Sequence, residues 1–461
     1  MEVIILAAGE GTRMFSETPK ALHSIGGRAM LEHVMLTARE LNPSNIHVAV
    51  GFGAAQIRGY FKDGEALDIN WVLQAERLGT GHAVQQALPD VDTGDERNWV
   101  MVLYGDVPLI KSLTLNGLLE QMDLETVALL TVRTENPSGL GRVIRDEAGR
   151  VAAIVEEKDA TEEQKQIKEV NSGIMCIPAK KLEKWLGKVS NNNQQSEYYL
   201  TDIIGFAVSE GCQIKATTHP DEIEVQGVND KAQLALLEKC YQMKKQQELM
   251  DAGVTLRDPS RVDIRGTVKC GKDCVIDVNV IFEDTVTLGD NVEIGANTVI
   301  RAATLGDGVQ ILPGTNIDGA TIGRDSVVGP YARIRPGTTL DEGVKIGNFV
   351  EIKGSKIGAG SKANHLAYIG DAEIGQGCNI GAGTIFCNYD GANKHKSVLG
   401  NNVFIGSNCV LVAPIRLEDE AFVAAGSAIN NDVPAENLAV GRAKQRNIAR
   451  WKRPAKLRKS S

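Results

Sequence analysis

Apolar residues in the first half of the chain fall in short runs separated by longer amphipathic segments. Five β-branched or apolar runs predict strands, at Val3–Leu6, Ile46–Val50, Trp71–Leu73, Val100–Leu103 and Val127–Val132. Helical spacing predicts helices between them, such as Ala29–Leu41 and Gly81–Leu88. This alternation predicts an α/β domain with a mostly parallel sheet, whose ligands bind beyond the carboxyl ends of the strands.

Apolar residues in the last part of the chain recur every six residues. The positions are Ile264, Cys270, Ile276, Phe282, Leu288, Ile294 and Ile300, then Leu305, Ile311 and Ile317, then Ile322, Val328, Ile334, Leu340, Ile346 and Ile352, and finally Leu399, Ile405, Leu411, Leu417, Val423 and Ile429. Glycine often follows, as in "LGDNVEIGANTVI". This period is typical of a hexapeptide parallel β-helix, in which three hexads form one triangular coil of about 18 residues with the periodic side chains inside.

A single helix is predicted between the two patterns. No Gly or Pro occurs between Gly227 and Gly253, and Asp230 followed by Gln233 resembles a capping box. Leu234, Leu237 and Tyr241 follow helical spacing. The sequence therefore predicts three parts: a domain at 1–229, a linker helix at 230–252 and a β-helix domain at 253–461.

Spacing within the β-helix places polar residues in vertical rows. Arg335 and Lys353 are 18 residues apart, so they are predicted to stack on neighbouring coils, where an anion such as phosphate would relieve their repulsion. Tyr389, Ser407 and Ala425 are also 18 apart and predict a second row beside a groove. The stretch Phe386–Val398 interrupts the rhythm and predicts a surface loop, often a functional one.

Composition excludes several classes of protein. The chain has 461 residues, which favours two or three domains, and a net charge of −9, which argues against a nucleic-acid partner. No run is long enough for a membrane span, and the short apolar run after Glu2 predicts a strand instead of a signal peptide. Eight cysteines without CxxC spacing favour reduced thiols in a cytoplasmic protein over zinc or disulfides.

The first strand leads into a glycine loop with a basic residue. "VIILAAGEGTRM" places Gly9, Gly11 and Arg13 directly after Val3–Leu6. Glycines let backbone N–H groups approach an anion, and an arginine adds a bidentate phosphate contact. The loop is neither a Walker A motif nor GxGxxG, and an ordinary strand-to-helix turn is the alternative. In "LYGDVPLI" a strand ends on Asp106, where a divalent cation on phosphates would be held.

These motifs together resemble a known family. "LAAGEGTRM", "PK", "QAERLGTGHAV" and "YGD" resemble the sugar-1-phosphate nucleotidyltransferases. With the hexapeptide half, "HLAYIGD", "GAGTIFCNYDG" and "VAPI", the whole chain is similar to the bifunctional N-acetylglucosamine-1-phosphate uridyltransferases/glucosamine-1-phosphate N-acetyltransferases. The resemblance implies a Rossmann-like nucleotidyltransferase domain and a left-handed β-helix, although spacing does not show handedness and general crossover rules favour the opposite hand.

The resemblance implies a UTP and Mg²⁺ site in the first domain. The nucleotide would be held by Leu6, Ala7, Ala8, Gly9, Lys20, Gln74, Gly79 and Thr80, with the loop backbone and Gln74 at uracil. N-acetylglucosamine-1-phosphate would be held by Tyr104, Gly141, Glu156 and Asn171, and Gly105 belongs to the same combined site. Arg13 and Lys20 would neutralise charge during uridyl transfer. Asp106 and Asn229 would bind Mg²⁺, although a solvated turn carboxylate and a helix-start residue are the alternatives for the two.

The resemblance also implies an acetyltransferase site on the β-helix. His365 in "KANHLAYIG" would be the general base that takes a proton from the attacking amine. Glucosamine-1-phosphate would be held by Arg335, Lys353, Tyr368 and Asn379. Acetyl-CoA would be held by Ala382, Asn388, Tyr389, Ser407, Ala425 and Arg442. Nine Lys or Arg residues between Arg442 and Lys459 form a basic tail that either folds over CoA or is a solvated end.

The predicted function is therefore a cytoplasmic two-step synthesis of UDP-N-acetylglucosamine, a precursor of peptidoglycan and lipopolysaccharide. Its partners would be the small-molecule substrates and two further copies of the chain in a homotrimer, with no nucleic acid and no membrane. One alternative is a single-activity nucleotidyltransferase whose β-helix only oligomerises. A second is a non-enzymatic binding or scaffold protein, against which Arg13 and Asp106 argue.

Overall fold

The computed structural model describes residues 1–61 and 68–452, and the chain divides into two compact units within one long helix. Unit 1 is Met1–Lys244 and unit 2 is Lys245–Ser461. The end of the predicted basic tail, from residue 453 onward, lies outside the described residues. Among those that are described, no helix combines the length and apolar character of a membrane crossing.

Unit 1 contains one mixed sheet with helices on both faces. Its strands are β1 Glu2–Ala7, β2 Ile46–Val50, β3 Asn70–Leu73, β4 Trp99–Tyr104, β5 Thr126–Arg133, β6 Arg142–Arg145, β7 Val151–Val155, β8 Glu169–Pro178 and β9 Gln213–His219. Its helices are α1 Met30–Glu40, α2 Ala54–Tyr60, α3 Thr80–Ala87, α4 Ser112–Leu119, α5 Glu162–Lys165, α6 Ala179–Leu186 and α7 Asp202–Ser209. Short 3-10 helices lie at Thr12–Met14, Lys20–Leu22 and Leu88–Asp90, and a small hairpin pairs Ser24–Ile25 with Arg28–Ala29.

The five predicted strands are all present, and the sheet is less parallel than the apolar pattern predicts. Its order is β9-β5-β8-β4-β1-β2-β3, with β6 paired to β8 and β7. The neighbours of β1 and the pairs β2–β3 and β5–β9 are parallel, whereas β8 runs antiparallel to β4, β5 and β6. The antiparallel strands come after the five predicted runs in the sequence. One of them, β8, pairs with β5 and carries Asn171.

Central strand β1 explains why both faces of the sheet carry helices. All six of its residues are buried. Ile4 and Leu6 belong to one apolar cluster, while Val3 and Ile5 belong to the cluster on the opposite face. Because successive strand side chains point to opposite faces, a strand buried on both sides reads as an uninterrupted apolar run.

The predicted linker helix is α8, Lys231–Asp251. The N–H of Gln233 donates to Asp230 Oδ1 at 2.8 Å, as the capping box predicts. The side chain of Gln233 instead accepts from the N–H of Asn229 at 2.7 Å, one residue earlier than a standard box. The start of α8 therefore fixes the backbone of Asn229, a predicted metal ligand.

Unit 2 is a parallel β-helix. One 11-stranded sheet contains Thr255–Leu256, Val275–Ile276, Glu293–Ile294, Gln310–Ile311, Val327–Val328, Lys345–Asn348, Lys362–His365, Asn379–Ile380, Phe404–Ile405, Phe422–Val423 and Leu438–Ala439. One 17-stranded sheet contains Val262–Cys270, Val280–Leu288, Val299–Arg301, Thr304–Leu305, Asn316–Asp318, Ala320–Ile322, Arg333–Ile334, Thr338–Leu340, Glu351–Lys353, Lys356–Ile357, Tyr368–Gly370, Ala372–Ile374, Ile385–Cys387, Ser397–Leu399, Val410–Val412, Ile415–Leu417 and Ala428–Ile429. The pairings within both sheets are parallel, for example Ile352 with Ile369.

The hexapeptide residues form the core of this β-helix, as predicted. Every predicted inward position is buried except Cys270, which is partly buried and packs against the same cluster. Paired residues on neighbouring coils are 17 or 18 positions apart, as in Thr287 with Thr304 and Ile281 with Val299. One coil is longer: Ala372, Asn379 and Ile385 pair 25 positions later, with Ser397, Phe404 and Val410. The last pairing, Phe422 with Leu438, spans 16 positions. The longer step accommodates the loop that the broken rhythm predicts.

Candidate functional site

Unit 1 has a cleft of about 550 Å³ beyond the carboxyl ends of β1 and β4. The predicted residues that line it are Leu6, Ala7, Ala8, Gly9, Lys20, Gln74, Gly79, Thr80, Tyr104, Gly105 and Asp106. The lining residues that sequence reasoning missed are Glu10, Ala21, Arg77, Ala83 and Glu197. The cleft therefore joins the glycine loop, the start of α3 and the end of β4 in one space, where parallel sheets bind ligands.

Lys20 connects the two predicted metal ligands. It begins a 3-10 helix directly after Pro19, and its ammonium group contacts Asp106 Oδ2 and lies 3.2 Å from Asn229 Oδ1. Lys20 and Asp106 are both mostly buried, with side chains 16% and 18% exposed. Two oxygens from distant parts of the sequence thus converge on one positive charge.

This arrangement fits a cation that is shared with phosphate groups. Carboxylate and amide oxygens suit Mg²⁺, which usually takes one or two protein ligands and completes its shell with water and phosphate. Within residues 1–61 and 68–452, no group of three or more His, Cys, Asp or Glu side chains could hold a metal by itself. Asp106 and Asn229 are therefore suited to a metal that arrives with a phosphorylated substrate.

The segment that starts α3 is shaped by close backbone packing. Gly79 has φ +106°, and a Cβ there would lie 2.7 Å from the carbonyl oxygen of Tyr198. Gln74 is buried, and its Nε2 donates to the Gly79 carbonyl at 3.1 Å and contacts His82 Nδ1 at 3.0 Å. The N–H of Leu200 donates to Thr80 Oγ1 at 3.1 Å. The predicted nucleotide residues of this segment are thus held in place before any ligand contact.

Four predicted sugar residues form a connected group: Tyr104, which lines the cleft, and Gly141, Glu156 and Asn171, which do not. The N–H of Asn171 donates to the Gly141 carbonyl at 2.9 Å, and Asn171 Oδ1 accepts from Gly173 at the same distance. Gly173 lies under the Tyr104 ring, since a Cβ there would meet that ring at 2.4 Å. A Cβ on Gly141 would lie 3.4 Å from the Glu156 carboxylate. The structure therefore brings these predicted residues together.

Burial shapes the electrostatics of this sugar side. Burial raises the pKa of Tyr104, and the negative charges of Glu156 and Asp106 raise it further, so the phenol keeps its proton. Burial also raises the pKa of Glu156, partly offset by the hydroxyl of Thr201, which donates to it at 2.9 Å. Thr201 was missed by sequence reasoning, and no motif in the chain pointed to it.

Arg13 is placed differently from the other predicted residues of the loop. It lies in the 3-10 helix Thr12–Met14, is exposed and does not line the cleft. Arg77 is a cation on the cleft lining that sequence reasoning missed. It forms an ion pair with Glu10 and so links two segments of the lining. A phosphate role for Arg13 stays a prediction.

In unit 2 the predicted cation pair is stacked as expected. The N–H of Arg335 donates to the carbonyl of Ile352 at 2.8 Å, which places Arg335 beside Lys353 on the next coil. The Arg335 guanidinium pairs with Glu351 at 2.7 Å. Lys353 in turn pairs in register with Gly370, and Tyr368 pairs with Glu351. One face of the 17-stranded sheet thus carries three of the predicted amino-sugar residues.

The inserted loop adds a third cation that sequence reasoning missed. The proximity of Lys353 lowers the pKa of the Lys394 ammonium group, and the charge of Asp371 partly offsets this shift. Asn388, at the start of the loop, donates to Asp371 Oδ2 at 2.6 Å. Lys394 lies in the stretch that interrupts the six-residue period, and this interruption is the sequence signal that could have identified it.

His365 ends a strand of the 11-stranded sheet. It pairs in register with Asn348, and its Nδ1 lies 3.1 Å from Asn348 Oδ1. Because the amide oxygen only accepts, this contact assigns the proton to Nδ1 and leaves Nε2 as a proton acceptor. The exposed ring can therefore take a proton from a substrate. Asn379 lies on the same sheet, in register with Lys362.

The predicted row of Tyr389, Ser407 and Ala425 is wrong in one member. Ile380 pairs with Ile405 and Ile405 with Val423, so the row is Ala382, Ser407 and Ala425. The inserted loop lengthens this coil to 25 residues and carries Tyr389 out of the row, where it is 61% exposed. Arg442 reaches the same row, with its guanidinium 2.5 Å from the Ala425 carbonyl.

Comparisons with known proteins agree with both units. Three protein-family models match the chain: a MobA-like NTP transferase domain over residues 3–167, a GMPPB C-terminal domain over residues 260–357, and a hexapeptide repeat of succinyl-transferase over residues 398–431. A bifunctional protein GlmU from Pseudomonas entomophila is 53% identical over 460 residues, all of both chains. One from Marinobacter nauticus is 52% identical over 456 residues, 99% of both chains. Since identity of this level extends across both units, the chain belongs to the GlmU family.

Proposed function

We propose that unit 1 transfers a uridyl group from UTP to N-acetylglucosamine-1-phosphate and that the β-helix of unit 2 acetylates glucosamine-1-phosphate. As a GlmU-family enzyme, the chain is a bifunctional uridyltransferase and N-acetyltransferase of UDP-N-acetylglucosamine synthesis. Residues 1–229 would be the uridyltransferase domain, 230–252 the linker and 253–461 the acetyltransferase domain. Acetyl transfer comes first, because its product is the acceptor of the uridyl group.

In the uridyl transfer, a phosphate oxygen of the sugar phosphate attacks the α-phosphorus of UTP. A new P–O bond forms, the bond to the β-phosphate breaks, and pyrophosphate leaves. No protein nucleophile is needed, so catalysis consists of positioning two anions and neutralising their charge. Lys20 supplies positive charge at the cleft, the backbone of Leu6, Ala7, Ala8 and Gly9 meets the nucleotide, and Arg13 is proposed to meet the departing pyrophosphate.

Asp106 and Asn229 would hold Mg²⁺, which when bound would neutralise phosphate charge and align the triphosphate. Their convergence on the Lys20 ammonium group supports this role, because both oxygens already face one cation. Lys20 is long enough to remain beside the phosphates as a second positive charge.

Gln74, Gly79 and Thr80 would hold the nucleotide, with Gln74 at uracil. Tyr104, Gly105, Gly141, Glu156 and Asn171 would hold the sugar. The partly buried Glu156 and the protonated Tyr104 suit hydroxyl and amide groups of a neutral ring better than a phosphate.

In the acetyl transfer, the amine of glucosamine-1-phosphate attacks the thioester carbonyl of acetyl-CoA. A C–N bond forms, the C–S bond breaks, and CoA leaves as the thiol. Nε2 of His365 would accept the proton that the amine loses, while Asn348 holds the ring through Nδ1. The cysteines have no task in this chemistry, because no covalent enzyme intermediate is required.

Arg335, Lys353 and Lys394 would bind the phosphate of glucosamine-1-phosphate, with Tyr368 and Asn379 beside the sugar. Lys353 and Lys394 repel each other, as the lowered pKa of Lys394 indicates, and an anion between them would relieve that repulsion. In the described part of the chain, neither Lys353 nor Lys394 has a carboxylate within salt-bridge distance. A phosphate would satisfy both.

Acetyl-CoA would lie along the row of Ala382, Ser407 and Ala425, with Arg442 at one end and Asn388 and Tyr389 at the loop. Small side chains in that row leave space for the extended pantetheine chain. Arg442 suits the phosphates of CoA.

We also propose that the chain is a homotrimer in the cytoplasm. Two stacked pairs of exposed aromatic residues lie on the β-helix surface, Tyr331 on Phe349 and Phe404 on Phe422. Exposed aromatic columns of this kind favour protein–protein contact. Sedimentation analysis tests the trimer: a single species of three times the chain mass is expected, and a monomer at micromolar concentration contradicts it.

The observation that best supports the proposal is that Lys20 meets Asp106 and Asn229 in unit 1, while Arg335 stacks beside Lys353 in unit 2. One assay tests both halves: glucosamine-1-phosphate, acetyl-CoA, UTP and Mg²⁺ are mixed with the enzyme, and free thiol and pyrophosphate are followed separately. Thiol release should precede pyrophosphate release. Pyrophosphate release only when N-acetylglucosamine-1-phosphate is supplied, with no thiol, would support the single-activity alternative.

A further inference from the structure

The loop 388–396 is closed on itself. Its backbone forms an antiparallel bridge between Tyr389 and Lys394, and the N–H of His395 donates to the Asn388 carbonyl at 2.7 Å. Lys394 therefore stands on a small hairpin and not on a β-helix coil. The position of its side chain depends on the shape of this hairpin.

The Asp390 carboxylate holds the hairpin together. One oxygen, Oδ1, accepts from the backbone N–H groups of Ala392 at 2.8 Å and Asn393 at 2.7 Å. The other, Oδ2, lies 2.6 Å from His395 Nε2. The N–H of Asn393 and then the His395 ring hold the pKa of Asp390 well below its usual range, so the carboxylate stays ionised at neutral pH. One side chain thus fastens both sides of the turn.

The hairpin contacts the coils next to the proposed phosphate site. Asn388 donates to Asp371, whose own N–H donates to the Lys353 carbonyl at 3.0 Å. Gly370 leaves room for the hairpin, since a Cβ there would lie 2.6 Å from Asn388 Nδ2. Gly370 pairs in register with Lys353, so these contacts hold the hairpin, with Lys394 on it, beside the coil that carries Lys353.

We propose that Asp390 and His395 are positioning residues for acetyl transfer, which hold Lys394 where it meets the phosphate of the amino sugar. The inference rests on the proposed acetyltransferase function of unit 2. A lysine on an unfastened loop would lose more conformational freedom when it binds the phosphate, so affinity for the amino sugar phosphate would fall. This role requires neither contact with substrate nor proton transfer by either residue.

The surroundings of the pair show that it acts on the loop and not on overall stability. The side chains of Asp390 and His395 are 44% and 32% exposed, and exposed ion pairs contribute little to folding. Lys396, which follows His395 in the chain, is paired with Glu373. Changes in the pair should therefore affect the Michaelis constant (KM) for the amino sugar phosphate and leave the fold of unit 2 intact.

The test is a double-mutant cycle on the full-length enzyme. Asp390→Ala and Lys394→Ala should each raise the KM for glucosamine-1-phosphate, by about 10-fold, the usual size of a lost hydrogen bond to a charged group. Turnover at saturating substrate should change much less. If Asp390 acts through Lys394, the double variant should match Lys394→Ala alone. Lys396→Ala, which removes a neighbouring lysine outside the site, should leave the KM unchanged.

Conservative variants separate positioning from general loosening of the loop. His395→Gln keeps a donor for Asp390 and should stay near the wild-type KM, whereas His395→Ala should raise it. Effects of Asp390→Ala and Lys394→Ala that multiply in the double variant would overturn the proposal, since Asp390 would then act independently of Lys394. So would an unchanged KM in Asp390→Ala beside a raised KM in Lys394→Ala.

A third result would reach further. If Lys394→Ala itself leaves the KM for glucosamine-1-phosphate unchanged, Lys394 has no place in the phosphate site. Both the positioning proposal and that part of the proposed function would then be wrong. Uridyl transfer by the same preparations reports whether each variant protein is otherwise intact.

Discussion

The cleft of unit 1 and the exposed face of unit 2 solve the problem of binding phosphorylated substrates in opposite ways. In the cleft, mostly buried groups converge from distant points of the sequence, such as Lys20, Asp106 and Asn229. On the β-helix, partly exposed groups stand at regular register on adjacent coils, such as Arg335 and Lys353. The first site depends on burial and tertiary packing, whereas the second depends on the repeat.

This difference has a consequence for electrostatics. The partly buried Tyr104 and Glu156 of unit 1 have raised pKa values because burial disfavours their charged forms. On the β-helix the shifts near the site come from direct contacts between groups, as between Lys394 and Lys353. Substitutions in the cleft should therefore change both catalysis and stability, and substitutions on the β-helix should change catalysis alone.

The largest effect is expected at His365. His365→Ala removes the proposed general base and should lower acetyl transfer by about 10²- to 10⁴-fold, the usual contribution of such a group. Uridyl transfer should stay within about twofold, because the two units have separate cores. Thiol release from acetyl-CoA measures the first activity and pyrophosphate release the second. A parallel loss of both activities in a folded protein would contradict the separation of the sites.

A large effect of the opposite kind is expected at Asp106. Asp106→Ala removes a proposed metal ligand and the partner of Lys20, so uridyl transfer should fall by about 10²-fold or more. Acetyl transfer should not change. Glu96→Gln is a suitable control, since it removes an exposed carboxylate that pairs with Lys180 away from the cleft. Metal-dependent turnover that stays unchanged would remove Asp106 from the metal site.

A moderate effect is expected in the row of small side chains. Ala425→Leu fills the proposed groove and should raise the KM for acetyl-CoA by about 10-fold through steric exclusion, with little effect on the KM for UTP. Ala296→Leu is the matched control. It lies two residues after Ile294 on the same sheet, as Ala425 lies two residues after Val423. An equal effect of both substitutions would indicate general distortion of the coils instead of a specific groove.

The smallest expected effect is a pH-dependent change in the stability of unit 1 when Glu156 is replaced. Burial raises the pKa of Glu156, so the folded state holds this proton more tightly than the unfolded state. The stability that this provides is present at low pH and is lost as pH rises through the raised pKa. Glu156→Gln should therefore melt at a higher temperature than the wild type at pH 8, and the gap should shrink toward pH 5. Calorimetry of the unfolding of unit 1 measures this difference in melting temperature. A difference that does not change with pH would contradict a burial-raised pKa of Glu156.

The two regions also differ in what the sequence could predict. The hexapeptide period located the core of the β-helix, because a repeat gives each inward position the same environment. Fixed register also predicted the stack of Arg335 on Lys353. It was wrong for Tyr389, since the inserted loop changes the length of one coil, and periodicity alone does not say where a loop takes up the extra residues.

In unit 1 the sequence predicted the central strands and the glycine loop, but less of the site's detail. Apolar runs identify β1 to β5, whereas the antiparallel strand β8 and the contact of Thr201 with Glu156 depend on long-range packing. The pairing of Asn229 with Asp106 was predicted from the family resemblance and not from the spacing of residues. Lys394 was missed because its role depends on the fold of its loop, which no local pattern specifies.

The central claim is that two independent sites lie on two units of one chain, and complementation tests it most directly. His365→Ala and Asp106→Ala are each supplied with glucosamine-1-phosphate, acetyl-CoA, UTP and Mg²⁺, first separately and then mixed in equal amounts. Neither variant alone should form UDP-N-acetylglucosamine at an appreciable rate, and the mixture should form it at a large fraction of the wild-type rate. A mixture as inactive as the separate variants, although each still performs its own remaining step, would contradict two freely cooperating sites.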